Sequence, residues 1–410
     1  MRASALPFYY GWCVLAASAV AELLAQGATS YASGLFVLPL QAEFHISRAD
    51  ANSAVLILFL GSALMAPLVG RALDRFPIRL VVCIGAAVFG AALAGIALAG
   101  ALWQMALILF VPAALGFMAI GPLTTSTLAA RWFWRRRGLA MGLAAIATSG
   151  GGLVVVPLLS QAIRAHGWRS ALLGEAVIVT AIIIVLSLAL LRDGPAAVGL
   201  ADHAENQGRT AHSTHDRLRW HAILASAAFW RPSLALATVS GISQAVVVTL
   251  VPYGVAMGVS ATQAAFGISA FALAAAITKI VAGVLADRVA PTTILVAALV
   301  AMIAAQALFC LAPGYAALVA AASLAGIALG GALPTAGSMM ASAFGAGHFG
   351  AAMGWTYALV LAFAILATRF VGMVYDMSHG YGRGFAAFLG FCVVVLLFIL
   401  LTARPRTLAS

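Results

Sequence analysis

Charge is what this sequence lacks most. Only 8% of its 410 residues are Asp, Glu, Lys or Arg, against roughly 25% in soluble domains. Hydrophobic residues make up 64%, and so few charges could not give that much apolar surface a soluble exterior. A water-soluble globule is excluded, and residence in a bilayer follows. Cysteine is scarce too. Cys13, Cys83, Cys310 and Cys392 each stand alone in an apolar stretch, with no CxxC and no metal-ligand spacing, so they read as small core residues. HExxH, a Gly-rich phosphate loop and a nucleophile elbow are all missing, so an enzyme is not expected. No cofactor or metal is expected either. His203, His212, His215 and His221 crowd one polar stretch but lack the tight i,i+4 pairing of a metal site, and they read as a solvated linker.

What is present is a succession of apolar runs. A helix needs about 20 apolar residues to cross the hydrocarbon core. Cutting at charged, Pro and Gly punctuation gives twelve spans, near 9–40, 51–73, 79–101, 104–130, 139–163, 170–191, 229–256, 262–286, 291–312, 315–344, 350–375 and 384–403. The first contains Glu22 and exceeds a signal-peptide core in length, so it reads as an uncleaved helix. One long polar connection divides the chain into a six-helix bundle at 1–192, a linker at 193–228 and a second six-helix bundle at 229–410.

The net charge of +11 does not announce nucleic-acid binding, because the arginines punctuate apolar segments instead of forming a basic domain. With the first terminus placed in the cytoplasm, sixteen of the 22 Lys and Arg residues fall on that side and four on the other. This asymmetry predicts a multi-pass protein of the cytoplasmic membrane with both termini cytoplasmic. The halves also repeat. Gly70-xxx-Asp74-Arg75 closes span 2 and Gly283-xxx-Asp287-Arg288 closes span 8, an offset of 213 residues. Gly138-Leu139-Ala140-Met141-Gly142 opens span 5, and Gly350-Ala351-Ala352-Met353-Gly354 opens span 11, an offset of 212. Gly116 and Gly121 of span 4 match Gly326 and Gly331 of span 10, an offset of 210. A parallel internal repeat of this kind predicts a substrate site near the bilayer midplane.

The loop Gly70-Arg71-Ala72-Leu73-Asp74-Arg75-Phe76-Pro77-Ile78-Arg79 resembles the G-x-x-x-D-R-x-G-x-R loop of the major facilitator superfamily, with Pro77 where glycine is usual. A glycine there lets two helix ends approach, and Asp74 can pair with a cation or a helix N-terminus in one conformation only. Gly70, Asp74, Arg75 and Arg79, with their counterparts Gly283, Asp287 and Arg288, are therefore expected to gate the carrier. The stretch Arg131-Trp132-Phe133-Trp134-Arg135-Arg136-Arg137-Gly138-Leu139-Ala140-Met141-Gly142 looks like the span 4–5 loop of monocarboxylate transporters and oxalate/formate antiporter-like proteins. Tyr10-Gly11-Trp12 is similar to theirs as well. The basic cluster also reads as a positive-inside anchor. The chain departs from that branch in carrying Lys279 where monocarboxylate carriers place a substrate-binding arginine, and Ala275 where acidic carriers keep an Asp. It also has no lysine near Val360, where oxalate/formate exchangers use one. Ser149-Gly150-Gly151-Gly152 reads as close helix packing.

Ionisable groups deep in a membrane are costly and mark function or specific pairing. Lys279 lies about 12 Å from the inner face and Glu22 about 18 Å deep at 1.5 Å per residue. Glu22, Gln26, Thr29, Ser30 and Ser33 follow helical spacing and predict one polar face on span 1. Lys279 is the expected carboxylate ligand, with Gln26, Ser30, Gln244 and Tyr357 around it and Glu22 as the proton-coupling group. A static Lys279–Glu22 pair is the alternative. Arg369 and Glu175 are expected to snorkel to the interface, with Arg369 a candidate for an outer gate. Ser243, Thr124, Thr127 and Trp355 are further polar groups that line a cavity or glue helices.

The sequence thus implies an all-α membrane protein of twelve helices in two six-helix pseudo-repeats. It is read as a secondary transporter, working as a monomer in the lipid bilayer, that moves a small anionic substrate with protons and binds no nucleic acid. A monocarboxylate is the favoured substrate. The alternatives are an anion exchanger, an efflux carrier for another small solute, or a non-transporting membrane receptor.

Overall fold

The computed structural model describes residues 9–46, 48–200, 220–311, 314–378 and 380–402. His203, His212 and His215 of the linker lie outside the described residues, as do Arg2, Arg404 and Arg406. Among the described residues all regular structure is helical. Ten helices are long and apolar enough to cross a membrane. One of them, Tyr315–Ser378, is 64 residues long and is interrupted by Gly345 at φ 66° and ψ 176°, so it supplies spans 10 and 11. Glycine is the residue that reaches such a backbone without strain. The 30-residue helix Arg137–His166 is span 5. The twelve expected spans are all present.

In order the others are span 1 at Gly11–Phe44, span 2 at Arg48–Arg75, span 3 at Ile78–Leu98 and span 4 at Leu102–Trp132. Span 6 is Trp168–Leu190, span 7 Ala227–Ala256, span 8 Ala261–Ala286, span 9 Pro291–Leu311 and span 12 Gly382–Thr402. Two of them are not plain α-helices. Span 1 has a π-helical turn at Gly27–Tyr31, and span 4 has one at Leu109–Ala113. Span 4 is also broken at Gly121, whose φ of −95° and ψ of −149° end one helix before Pro122 opens the next. A proline at the first helical position costs nothing, because its missing N–H would have had no partner there.

These helices are apolar outside as well as inside, which only a lipid solvent rewards. Leu64, Ile84, Val177, Leu273 and Leu397 are all exposed on their surfaces. Contact between helices rests on small residues. Gly61 of span 2 meets the Phe110 carbonyl, Gly116 of span 4 meets Phe89, and Gly326 of span 10 meets the Phe271 carbonyl, each with no room for a Cβ. Backbones approach closely where side chains are absent.

The chain forms two units. One joins Met1–Arg217 to Phe344–Leu361, and the other joins Leu218–Ala343 to Ala362–Ser410. The first part of span 11 therefore packs with the first six spans. In that first unit, Gly150 and Gly151 of span 5 lie against Leu23 and Gly27 of span 1, as close helix packing requires.

Candidate functional site

The loop after span 2 is held by three sets of contacts. Asp74 Oδ1 accepts a 3.0 Å hydrogen bond from the Gly350 N–H, and Oδ2 accepts one of 2.6 Å from the Ala351 N–H. Both donors belong to the start of span 11, beyond the break at Gly345, where the helix dipole favours a negative charge. Gly70 and Gly350 stand backbone to backbone, and a Cβ on Gly354 would come within 2.5 Å of the Ala66 carbonyl oxygen. Arg131 lies 3.6 Å from Asp74 and donates a 2.6 Å bond to the Leu73 carbonyl. Arg131 is thus a partner of the Asp74 loop and largely buried, more than an interfacial anchor. Arg79 donates to the Leu188 carbonyl at the end of span 6, and the Ile78 N–H is capped by Asp193 at 2.6 Å. Arg75 is exposed.

The two short motifs that carry the branch resemblance touch each other. The Tyr9 hydroxyl donates to the Trp132 carbonyl at 2.6 Å, and the Tyr10 hydroxyl donates to the Leu190 carbonyl at 2.9 Å. Trp12 packs on Phe133 with ring centroids 4.5 Å apart, and Tyr10 on Trp132 at 5.7 Å. The Trp132 indole donates to the Arg192 carbonyl at 3.0 Å. Gly11 leaves the space that the rings of Tyr9 and Trp132 fill. One aromatic cluster therefore ties the start of span 1 to the ends of spans 4 and 6.

Deeper in this unit, Glu22 is 1% exposed. The buried Tyr357 of span 11 has the Glu22 carboxylate and the Ser126 hydroxyl as its electrostatic neighbours. Ser126 follows the Gly121–Pro122 break in span 4, and Thr125 beside it donates to the Ser18 carbonyl of span 1 at 3.3 Å. A discontinuous helix thus stands next to a buried carboxylate and a phenol, the kind of place where carriers put polar sites. Gln26 and Ser30 are partly buried on the same span as Glu22.

The expected single polar face of span 1 is not continuous. The π-turn at Gly27–Tyr31 shifts the helical phase, and Thr29 and Ser33 line a separate apolar cavity within the first unit. Their hydroxyls donate to Ala25 and Ser30 carbonyls at 2.7 and 3.0 Å. Thr124 and Thr127 likewise donate to Ala119 and Leu123 carbonyls, which makes them helix stabilisers at the break. Glu175 does not snorkel. It is 8% exposed, and neither carboxylate oxygen has a hydrogen-bond partner. Its position on span 6 points it inward, a choice that depth alone cannot reveal.

In the second unit Lys279, the single lysine of the chain, is 7% exposed on span 8. Gly330 of span 10 lies against the Ala275 carbonyl and the Lys279 backbone nitrogen, so the two helices approach closely at that level. Ser243 of span 7 is buried with a hydroxyl that makes no hydrogen bond, and Gln244 beside it is partly buried. Gly283 is buried whereas Asp287 and Arg288 are exposed, unlike Asp74 of the first repeat. Arg369 is exposed on span 11, as an interfacial side chain would be.

Sequence reading missed two features. Arg131 as the partner of Asp74 could have been suspected only from the loop's need for a cation. The break in span 4 was signalled by its Gly-Pro dipeptide, which the repeat argument used only as a small-residue match.

The sequence matches the Major Facilitator Superfamily over residues 19–268 and 234–410. It is similar to the uncharacterized MFS-type transporter YcxA of Bacillus subtilis, with 23% identity over 84% of each chain. Mouse monocarboxylate transporter 11 is 33% identical over 166 residues, which are 40% of this chain and 36% of that protein. Among solved structures, the human organic anion transporter MFSD10 superposes with a TM-score of 0.74 at 16% identity, covering 95% of this chain and 99% of that one. The proton:xylose symporter XylE gives a TM-score of 0.70 at 17% identity over 96% of both chains. The fold is common to carriers of different solutes. Family match, twelve spans and the Asp74 loop agree, and the chain belongs to the major facilitator superfamily of membrane transporters.

Proposed function

We propose that this protein is a proton-coupled secondary transporter of a small organic anion, a monocarboxylate by preference, working by alternating access. The observation that carries the anion reading is the buried Lys279, the chain's single lysine, on a close-packed part of span 8. A cation kept at that depth calls for a ligand or a specific partner. A lysine can meet a carboxylate as a point charge, without arginine's two-pronged geometry.

Alternating access is supported by the Asp74 contact. Two hydrogen bonds to the start of span 11 are easily broken and re-formed, so they can latch one state and release another. The moving bodies in this reading are the bundles 1–192 and 229–410 with the 193–228 linker between them. The protein is placed in the cytoplasmic membrane with both termini cytoplasmic, and the latch then lies on the inner side. Glu22, buried beside Tyr357 and Ser126, is the group we assign to proton coupling.

Uptake into proteoliposomes containing only this protein tests the reading. Labelled short-chain monocarboxylates should accumulate when the outside is acidified and should not when the gradient is collapsed. Uptake of sugars or amines with no uptake of any carboxylate would overturn the substrate class.

A further inference from the structure

The first unit holds a cavity of its own, separate from Lys279. It has a volume of about 380 Å³, is partly open to its surroundings, and is walled by spans 1, 2, 3, 4 and 6 at the end of the bundle opposite Asp74. Along span 4 the lining runs from Leu102 to Ala113, about 16 Å at 1.5 Å per residue. The space is therefore elongated along span 4. Both π-turns of the unit contribute to its wall, Ala28 and Thr29 from one and Leu109 and Ala113 from the other. Such turns recur at functional sites. Apart from Ser53 the rest of the wall is apolar, with Phe36 and Met105 among aliphatic side chains, and the hydroxyls of Thr29 and Ser33 are spent on backbone carbonyls, so the bore offers no polar partner from span 1. A predominantly apolar wall of this kind favours an apolar ligand.

The mouth has opposite chemistry. Trp168 lines the cavity, and its indole N–H donates to Glu43 Oε2 at 2.9 Å. Arg169 donates to Glu43 Oε1 from Nε at 3.2 Å and from Nη2 at 2.6 Å. Three N–H donors from adjacent residues thus converge on one carboxylate. The guanidinium also donates to the Ala97 and Ala99 carbonyls and stacks on the Trp168 ring 4.5 Å from its centroid. These contacts hold the donors in place without Glu43. Glu43 itself is exposed and can swing into water. A carboxylate socket therefore stands at the entrance of a hydrocarbon bore.

We propose that this cavity binds a free fatty acid, with its alkyl chain in the bore and its carboxylate on Arg169 and Trp168 in place of Glu43. This goes beyond the transport reading, since it uses neither Lys279 nor Glu22. A phospholipid fits less well, because its second chain has no matching bore and the anionic group next to its chains is a phosphodiester, not a carboxylate.

Equilibrium binding of labelled dodecanoate to the full-length protein in phosphatidylcholine nanodiscs tests it. Saturable binding is expected, lost when Ala106→Phe fills the bore and kept in Lys279→Ala. Glu43→Gln should tighten binding several-fold by removing the competitor, and Arg169→Gln should weaken it about tenfold. If dodecanol competes as well as dodecanoate, the socket is not used and the proposal fails. It also fails if binding is unsaturable, indifferent to Ala106→Phe, or abolished in Lys279→Ala. A bore already filled by a bilayer chain would show as brominated phosphatidylcholine quenching Trp168 fluorescence, judged against Trp168→Phe, with no relief on adding dodecanoate. That result would overturn the free-acid assignment as well. The Glu43→Gln arm guards against misfolding, because a gain that stays saturable and is lost again when Ala106→Phe is added is not what exposed apolar surface in a damaged protein gives.

Discussion

The carboxylate of Asp74 reaches across from the end of span 2 to take both the Gly350 and Ala351 N–H groups at the start of span 11. Asparagine offers only one acceptor oxygen and no charge toward that helix end, so Asp74→Asn loses one of the two bonds and the dipole interaction, about 1–2 kcal/mol together. Transport by Asp74→Asn should fall at least about tenfold while membrane insertion and substrate binding persist. Measured uptake equal to the parent protein, at equal expression, would remove the latch role.

The same junction can be tested by bulk. Gly350 faces the backbone of Gly70 and the Asp74 carboxylate with no space for a side chain. Gly350→Leu should hold the two segments apart and trap the carrier in one access state. Cysteine accessibility from the two sides of the membrane reads this out, and an unchanged labelling pattern would argue against it.

Arg131 is bound to the Leu73 carbonyl and lies beside Asp74, so Arg131→Gln leaves a buried carboxylate without its cation. Transport should fall as it does in Asp74→Asn. The double variant should be no worse than either single change, since both act on one contact. Losses that multiply would show two independent roles.

Glu22 is the group assigned to proton coupling. Glu22→Gln should abolish accumulation driven by a pH gradient and keep counterflow exchange. Tyr357→Phe, which removes the neighbouring hydroxyl, should move the pH dependence of uptake without abolishing it. Gradient-driven uptake surviving in Glu22→Gln would move the proton elsewhere, including onto the substrate's own carboxylate.

For Lys279 the variants separate a ligand from a structural charge. Lys279→Ala should remove binding of the short-chain anion that is transported, and Lys279→Arg should retain part of it with altered selectivity. If Lys279→Ala with Glu22→Gln together restore normal anion binding and transport, the lysine is structural and the site assignment is wrong.

The architecture was legible because a bilayer leaves the sequence few choices. Apolar run length and repeated Gly-xxx-Asp-Arg spacing both point to the same two sets of six spans. The 64-residue helix shows why this works, for its break at Gly345 separates two runs already distinct in composition. The candidate site was legible only as residue types. Glu22, Asp74 and Lys279 stand out because charges are rare in such segments. Their partners did not stand out. Arg131 looked like one of several loop arginines, and Tyr357 like any buried aromatic. Thr29 and Ser33 were assigned to the same face as Glu22 by assuming an unbroken 3.6-residue period. The π-turn at Gly27–Tyr31 begins at a glycine packed against Val155 and Gly151, a tertiary contact that no local pattern encodes.

The aromatic cluster has a consequence for anyone recombining carriers of this family. Tyr9, Tyr10 and Trp12 at one end of the chain and Trp132 and Phe133 more than a hundred residues later form a single three-dimensional piece, fastened to span 6 through Leu190 and Arg192. They are inherited as separate words but function as one. A chimera that takes its first span from one parent and its span 4–5 loop from another would bring together rings that were never fitted to each other. Crossover points should therefore be chosen after Arg192, so that both halves of the cluster travel on the same fragment.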